Sequence, residues 1–419
     1  MKDSGIEWIG EIPNDWEVRK VKNYYKLQTG FTPDTKKPEY YDDESGYDWV
    51  TISDLSRERT IEHTKSKISK KYINDYSPSI IPKGSLLYSF KLSVGQVAFA
   101  GKDIYSNEAI ASFLVNSECN LNFLYYSSYM IIENANENIY GAKLLNQNLI
   151  NNAFIVFPPL EEQQKIVNFL DERVSEIENI ISKTTLIIEE YKKYKQSIIT
   201  EAVTKGLNPD VKMKDSGIDW IGNVPDKWEL KKIKYIFLIQ KNIAGREGFD
   251  ILSVTQSGIK IKDISTNEGQ IASDYSKYQI VNVGDFVMNH MDLLTGWVDC
   301  SEYYGVTSPD YRVFKFINPE LFSSKYYKYI MQICYMNKIF YGLGQGVSNL
   351  GRWRLQTDKF NNFILPIPPL KEQRQITDYL DKKCSEIDIL IIQKQKLLTD
   401  LESYKKSLIY ESVTGKREI

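Results

Sequence analysis

Cationic and amide side chains recur in turn-rich stretches of this sequence, and together these residue types can read a polyanion. In the N-terminal half they are Lys36 and Lys37, then Arg57, Arg59, Lys65 and Lys67, then Lys91, then Lys143 with Asn146 and Gln147. In the C-terminal half they are Lys241, Asn242 and Arg246, then Lys260 and Lys262, then Gln345, Ser348, Asn349, Arg352 and Arg354. Arginine can pair bidentately with guanine, asparagine and glutamine with adenine, and lysine holds phosphates. Any one such cluster is more often a solvated face. Their recurrence in both halves makes DNA contact as good a reading as a solvated surface.

Other chemistry finds little support. Phe340-Tyr341-Gly342-Leu343-Gly344 matches the FxGxG cofactor loop of DNA adenine methyltransferases, and Ser308-Pro309-Asp310-Tyr311 approaches their catalytic tetrapeptide. The second proline is missing, and the two stretches lie too close for one cofactor domain of ordinary size. Both read as loops. The acidic run Asp42-Asp43-Glu44 reads as a solvated loop rather than a nuclease metal site. No P-loop or GxSxG elbow is present. Four cysteines without CxxC spacing and two histidines argue against a zinc site or a disulfide scaffold.

The elements that must position the basic clusters come twice. Residues 1–22, MKDSGIEWIGEIPNDWEVRKVK, return at 213–234 as MKDSGIDWIGNVPDKWELKKIK. FPPLEEQQKIVNFLDERVSEIE from Phe157 returns as IPPLKEQRQITDYLDKKCSEID from Ile367. Between these ends, residues 23–156 and 235–366 have little in common. An alike frame around unlike faces suits binding two different things at a fixed separation.

After each proline pair the apolar spacing alternates four and three. It runs Leu170, Val174, Ile177, Ile181, Thr184, Ile188, Tyr191, Lys195, Ile198, and again Leu380, Cys384, Ile387, Ile391, Lys394, Leu398, Leu401, Lys405, Leu408. That is a coiled-coil seam on helices of about 40–45 residues. Each helix either pairs antiparallel with the other or packs on its own domain; the sustained period favours pairing. Trp8, Trp16, Trp220 and Trp228 are expected to pack each domain onto this frame.

The globular parts carry short β-like runs at Asp48–Ile52, Ser85–Phe90, Gly95–Ala100 and Ile110–Val115, then Phe249–Val254, Asp285–Asn289, Gly296–Cys300 and Tyr311–Phe316. Helices are expected over Leu121–Asn134 and Pro319–Tyr335. The fold class is therefore α+β, with two mixed domains joined by two long helices in a pseudo-twofold internal repeat. The expected segments are a domain at 1–156, a helix at 157–206, a linker at 207–212, a domain at 213–366 and a helix with tail at 367–419.

A length of 419 residues supports several domains, and a net charge of −2 shows no overall basic field. Aromatic residues reach 13%, including 29 tyrosines, which serve interfaces and β-cores alike. Neither a signal peptide nor a long uncharged run is visible, so the cytoplasm is the expected compartment.

The combined pattern resembles the specificity subunits of type I restriction–modification systems. The resemblance rests on Ser4-Gly5-Ile6-Glu7-Trp8-Ile9-Gly10, Pro13 and Trp16, on Pro158-Pro159-Leu160-Glu161-Glu162-Gln163, on Thr204-Lys205-Gly206-Leu207, and on their second copies. It implies two target-recognition domains, each reading half of a bipartite double-stranded DNA site, and an antiparallel helical spacer. It also implies partners: two methyltransferase subunits and ATP-dependent restriction–translocase subunits, with no membrane. S-adenosylmethionine, ATP and magnesium would sit on those partners, with no cofactor on this chain. The family's recognition domains diverge, so it supplies no contact residues.

The missing proline pair yields the first prediction. The purified chain, free of partner subunits, should transfer no methyl group from S-adenosylmethionine to DNA. N6-methyladenine detected by mass spectrometry in such a reaction would overturn it.

Overall fold

Pro158-Pro159 and Pro368-Pro369 end the strands before them and launch the two longest elements of the chain. A computed structural model describes residues 1–419 apart from 43, 56–57, 92, 117–118, 134, 138–142, 264–271 and 347–352. The helices run Leu160–Lys205 (46 residues) and Leu370–Val413 (44 residues). At about 1.5 Å per residue each is roughly 65–70 Å long. The glutamine of each PPLxEQ stretch explains its place. Gln163 Nε2 donates to the Pro158 carbonyl at 2.8 Å, and Gln373 Nε2 to that of Pro368 at 2.8 Å. Both side chains are buried, and each fixes the angle at which the chain enters its helix.

The chain forms two compact units: residues 1–183 with 397–419, and residues 184–396. In the first, a five-stranded sheet runs in the order Leu27–Thr29, Ile110–Phe113, Leu86–Ser89, Val97–Ala100, Thr60–Ile61. In the second, a four-stranded sheet runs Phe237–Gln240, Arg312–Phe316, Phe286–Met288, Val298–Cys300. The registers correspond. Phe113 lies opposite Leu86 as Phe314 lies opposite Phe286, and Ala111 opposite Tyr88 as Arg312 opposite Met288.

Local chemistry moved several expected boundaries. The run at 48–52 is a strand only over Tyr47–Val50, because Thr51 N and Oγ1 donate to Asp54 and begin the short helix Ile52–Leu55. The helix expected over 121–134 divides into Leu121–Ser127 and Tyr129–Ile132. There, the Ser127 and Ser128 hydroxyls donate back to the carbonyls of Phe123 and Tyr125. The later helix begins at Ser324 rather than Pro319, capped by Ser323, whose Oγ accepts from Tyr326 N.

Each unit contains a stretch of both long helices, and in each they pair antiparallel. In the first unit Leu170, Val174 and Ile177 share a core with Leu408 and Val413, and Lys405 Nζ lies 3.5 Å from Glu178. In the second, Ile199, Ala202 and Val203 share a core with Ile376, Leu380 and Cys384, and Lys195 Nζ lies 2.6 Å from Asp388. Every residue of the expected seam is buried or half-buried.

The repeated tryptophans tie each domain to this frame. Trp16 Nε1 donates to Glu162 at 2.9 Å and Trp228 Nε1 to Glu372 at 2.9 Å, with both rings 1% exposed. Trp220 stacks on Phe363, and the Trp8 carbonyl accepts from Tyr410 Oη. The helix ends complete the joint. Gly206 and Gly415 stand at φ +73° and +69°, and a Cβ there would lie 3.2 Å from Trp228 and from Trp16 respectively.

Trp16→Ala and Trp228→Ala should each lower unfolding free energy by about 3–5 kcal/mol, the range for a fully buried aromatic. Trp→Phe at either site should cost less, about 1–3 kcal/mol for the lost charged hydrogen bond. Urea unfolding of the full chain measures both. Equal losses for Ala and Phe would disprove the packing share.

Candidate nucleic-acid interface

Tyr72 and Tyr76 lie four residues apart on the helix Lys70–Tyr76, so their rings share a face and stack at 4.6 Å. Phe31 stacks on Tyr72 at 5.0 Å, and Tyr40 meets both tyrosines edge-on. Lys37 Nζ lies 3.4 Å from Tyr40 Oη and 5.2 Å from its ring centroid, and Lys71 Nζ lies 5.4 Å from the same centroid. The Lys37 ammonium is held above its usual pKa, mainly by the hydrogen bond with Tyr40. Tyr76 stays 56% exposed and Tyr47 44% exposed. With Lys37, Lys70 and Lys71 beside these rings, this face combines cations with aromatic edges, the pairing that suits a phosphate backbone beside bases, and Lys36 and Lys65 are exposed in the same unit.

The other candidates of this unit separate. Lys67 donates to the Glu44 carbonyl at 3.0 Å and so braces the loop before it. Lys91 lies exposed over the ring of Phe90. Lys143 sits in a two-stranded hairpin opposite Glu137. Asn146 caps the helix Gln147–Asn152, its Oδ1 accepting from Leu149 N at 2.9 Å, while Gln147 is exposed. Arg57 lies outside the described residues.

Arg59, also expected at the DNA, is paired within the unit. Its Nη1 lies 2.6 Å from Asp171 of the first long helix, its Nη2 donates to Asn122 at 3.2 Å, and its guanidinium lies 4.6 Å from the Tyr125 centroid. Tyr126 Oη donates to the same Asp171 oxygen at 2.6 Å. Arg59 is a bracket between sheet and helix. An arginine that must pair, stack and stay planar at once suits such a bracket better than lysine.

In the second unit two clusters meet. Lys241, Asn242 and Arg246 occupy a loop that lies along residues 276–280: Ala244 N donates to Tyr278 O, and Ile280 N to Asn242 O. Tyr275 and Tyr278 line a pocket of about 440 Å³ with Lys262, Asn289 and Tyr311, while Lys260 is exposed on the hairpin strand Gly258–Ile261. Arg246 lies over Phe249. Gln345 and Arg354 pair through their main chains at 3.0 and 3.1 Å, and both side chains are exposed. Ser348, Asn349 and Arg352 lie outside the described residues.

The methyltransferase-like stretches take ordinary structural places. Ser308–Tyr311 is a turn, Tyr311 N donating to Ser308 O, and its Ser308 carbonyl also accepts from Gln279. Phe340–Gly344 is not simply a loop. Its first three residues lie in the short helix Ile339–Gly342, with Phe340 wholly buried. Among the described residues, no three His, Cys, Asp or Glu side chains are grouped to hold a metal ion, and all four cysteines are free. Among the described residues, no helix is long and apolar enough to cross a membrane.

Residue chemistry alone did not single out the tyrosines of these faces. The i, i+4 pair Tyr72 and Tyr76 beside Lys70-Lys71 was the signal for the first. Nothing in the sequence marks Arg312 or His290.

A family model described as the type I restriction modification DNA specificity domain matches residues 13–188 and again 225–399. The chain is 25% identical over 428 residues to the type I restriction enzyme MjaVIII specificity subunit of Methanocaldococcus jannaschii, covering 97% of this chain and 93% of that one. Its fold is similar, with a TM-score of 0.70 at 14% identity, to a chain from a structure addressing assembly and conformational transition of the type I R-M system; 97% of this chain and 100% of that chain are covered. It is also similar to the HsdS subunit from Thermoanaerobacter tengcongensis, with a TM-score of 0.53 at 15% identity and full coverage of both chains.

Exposed cations and internally paired ones should respond differently to substitution. Lys37→Ala and Lys65→Ala should each lower the salt slope of DNA binding by about one. Arg354→Ala should cost about 1–3 kcal/mol if it reads a base. Arg59→Ala should leave the slope unchanged and lower stability by about 1–2 kcal/mol. Binding titrations at several salt concentrations, with urea unfolding alongside, measure all four. A lowered slope for Arg59→Ala would reverse its assignment.

Proposed function

The chain belongs to the type I restriction modification DNA specificity family, and we propose that its two halves each read one half of a bipartite, asymmetric DNA site. The observation that carries this reading is one frame built twice around two unlike faces. Trp16–Glu162 and Trp228–Glu372 repeat the same 2.9 Å joint. The first unit offers Lys37 beside Tyr40, whereas the second offers Lys262 and the 241–246 loop near Tyr275 and Tyr278, with Lys260 and Gln345 exposed.

On this reading the chain is non-catalytic. Partner methyltransferase subunits carry S-adenosylmethionine and methylate adenine N6, and the target adenine leaves the stack to reach them. Restriction–translocase subunits use ATP and magnesium. The domains reading DNA are 1–156 and 213–366, and the helices at 157–206 and 367–419 set the unread gap between half-sites.

Methylation mapping in cells tests the division of labour. Exchanging residues 235–366 for those of another family member should rewrite one half-site and keep the other half and the gap. Inserting one heptad in both helices keeps the seam in phase and adds about 10 Å, close to three base pairs at about 3.4 Å each. The gap should change by about that number while both half-sites persist. A domain exchange that rewrote both half-sites, or a lengthened frame with an unchanged gap, would refute the proposal.

A further inference from the structure

Arg312 is a charged side chain in an expensive place. It is 4% exposed, on a central strand of the second sheet, and among the described residues no carboxylate pairs with it. Its Nη2 donates to Leu355 O at 3.1 Å and to Thr357 Oγ1 at 3.3 Å, and its guanidinium lies 4.5 Å from the Phe360 centroid. Its Nη1 is buried without a partner. Burial lowers its pKa to about 10, which leaves it charged at neutral pH. Taking an unpaired charge out of water is costly, and two hydrogen bonds and one ring contact offset only part of that cost. Arg312 is therefore a poor device for holding the core together and is better suited to holding what its hydrogen bonds reach.

The first unit shows what the position looks like without it. By strand register Arg312 corresponds to Ala111, and His290 corresponds to Phe90, each two residues past the paired Met288 or Tyr88. The segment that follows differs to match. In the first unit Leu145 is followed by Asn146, which caps the next helix through its own side chain. In the second unit Leu355 is followed by Gln356, which makes no side-chain cap. Arg312 reaches across from the sheet to hold that same turn instead.

The turn it holds carries the candidate base-reading side chains. Leu355 N donates to His290 O at 2.9 Å, Gln345 and Arg354 exchange main-chain hydrogen bonds, and Trp353 O accepts from Leu293 N. Gln356 Nε2 contacts Gln345 Oε1, and both side chains are exposed. His290 itself is neutral, its pKa pushed down to about 3 by burial and by the nearby Arg312 and Arg354, so it adds no charge to the anchor.

We infer that Arg312 is a positioning residue for DNA reading by the second unit, holding the root of the turn from which Gln345 and Arg354 project. This rests on the proposed function. The test pairs two readouts on the full chain. Arg312→Met fills the space without the charge or its two hydrogen bonds, and Thr357→Val removes one acceptor at an exposed site should the first variant fold poorly.

Hydrogen exchange comes first. The amides of Gln345, Arg354 and Leu355 should exchange about tenfold or more faster in either variant, while those of Phe286–Met288 stay protected. Methylation mapping with the partner subunits comes second. The half-site assigned to the second unit by domain exchange should become degenerate, and the first half-site should stay intact. Unchanged exchange at the three amides overturns the inference. So does faster exchange with an unchanged half-site, or methylation that falls evenly over an unchanged site. A wild-type chain that directs methylation to no two-part site would instead count against the proposed function, and the exchange result would still decide whether Arg312 is the anchor.

Discussion

A helix of 46 residues with a single apolar stripe cannot stand in water alone, because nothing along its length covers the stripe. The other long helix carries a stripe of the same period and nearly the same length. Antiparallel pairing brings Lys195 to Asp388 in one unit and Lys405 to Glu178 in the other. These contacts set register. Being at least partly exposed, they add little net stability, and the buried leucines, isoleucines and valines supply most of it. Every other contact of the domains with the frame is made against helices already placed by this constraint.

The domains grip the frame by polar ties laid over apolar joints. The repeated tryptophan–glutamate bond is common to both units, whereas the remaining ties are private. The first unit uses Arg59 and Tyr126 on Asp171, and the second uses Lys325 and Tyr329 on Asp381. Tyr326, fully buried in the second unit, donates to the Val203 carbonyl in the last turns of the first long helix. Two solutions to one mechanical problem are what divergence under a shared frame produces.

The frame was legible in the sequence because helix period, proline punctuation and repetition are local signals. Each seam residue from Leu170 to Leu408 could be placed by spacing alone. The faces were less so. Arg59 and Lys67 have the composition of phosphate contacts, yet Asp171 and the Glu44 carbonyl claim them, and those partners are remote in sequence. Arg312 was invisible for the opposite reason. It stands in an apolar strand pattern, and only the register opposite Met288 reveals a charge where the first unit has Ala111. Helix ends moved by a few residues wherever serine or threonine hydroxyls competed for the backbone, as at Thr51 and Ser127.

Residues 1–22 and 213–234 agree at 14 of 22 positions, which makes them natural joints for chimeric chains. A crossover inside them moves a recognition domain whole, with Arg312, the Leu355 turn and Gln345 travelling together. A crossover between Arg312 and Leu355 would pair a turn with the wrong core beneath it, leaving either a charge without its acceptors or a helix without its cap. The hidden contact between strand and turn therefore fixes the smallest piece of this protein that a chimera can usefully trade.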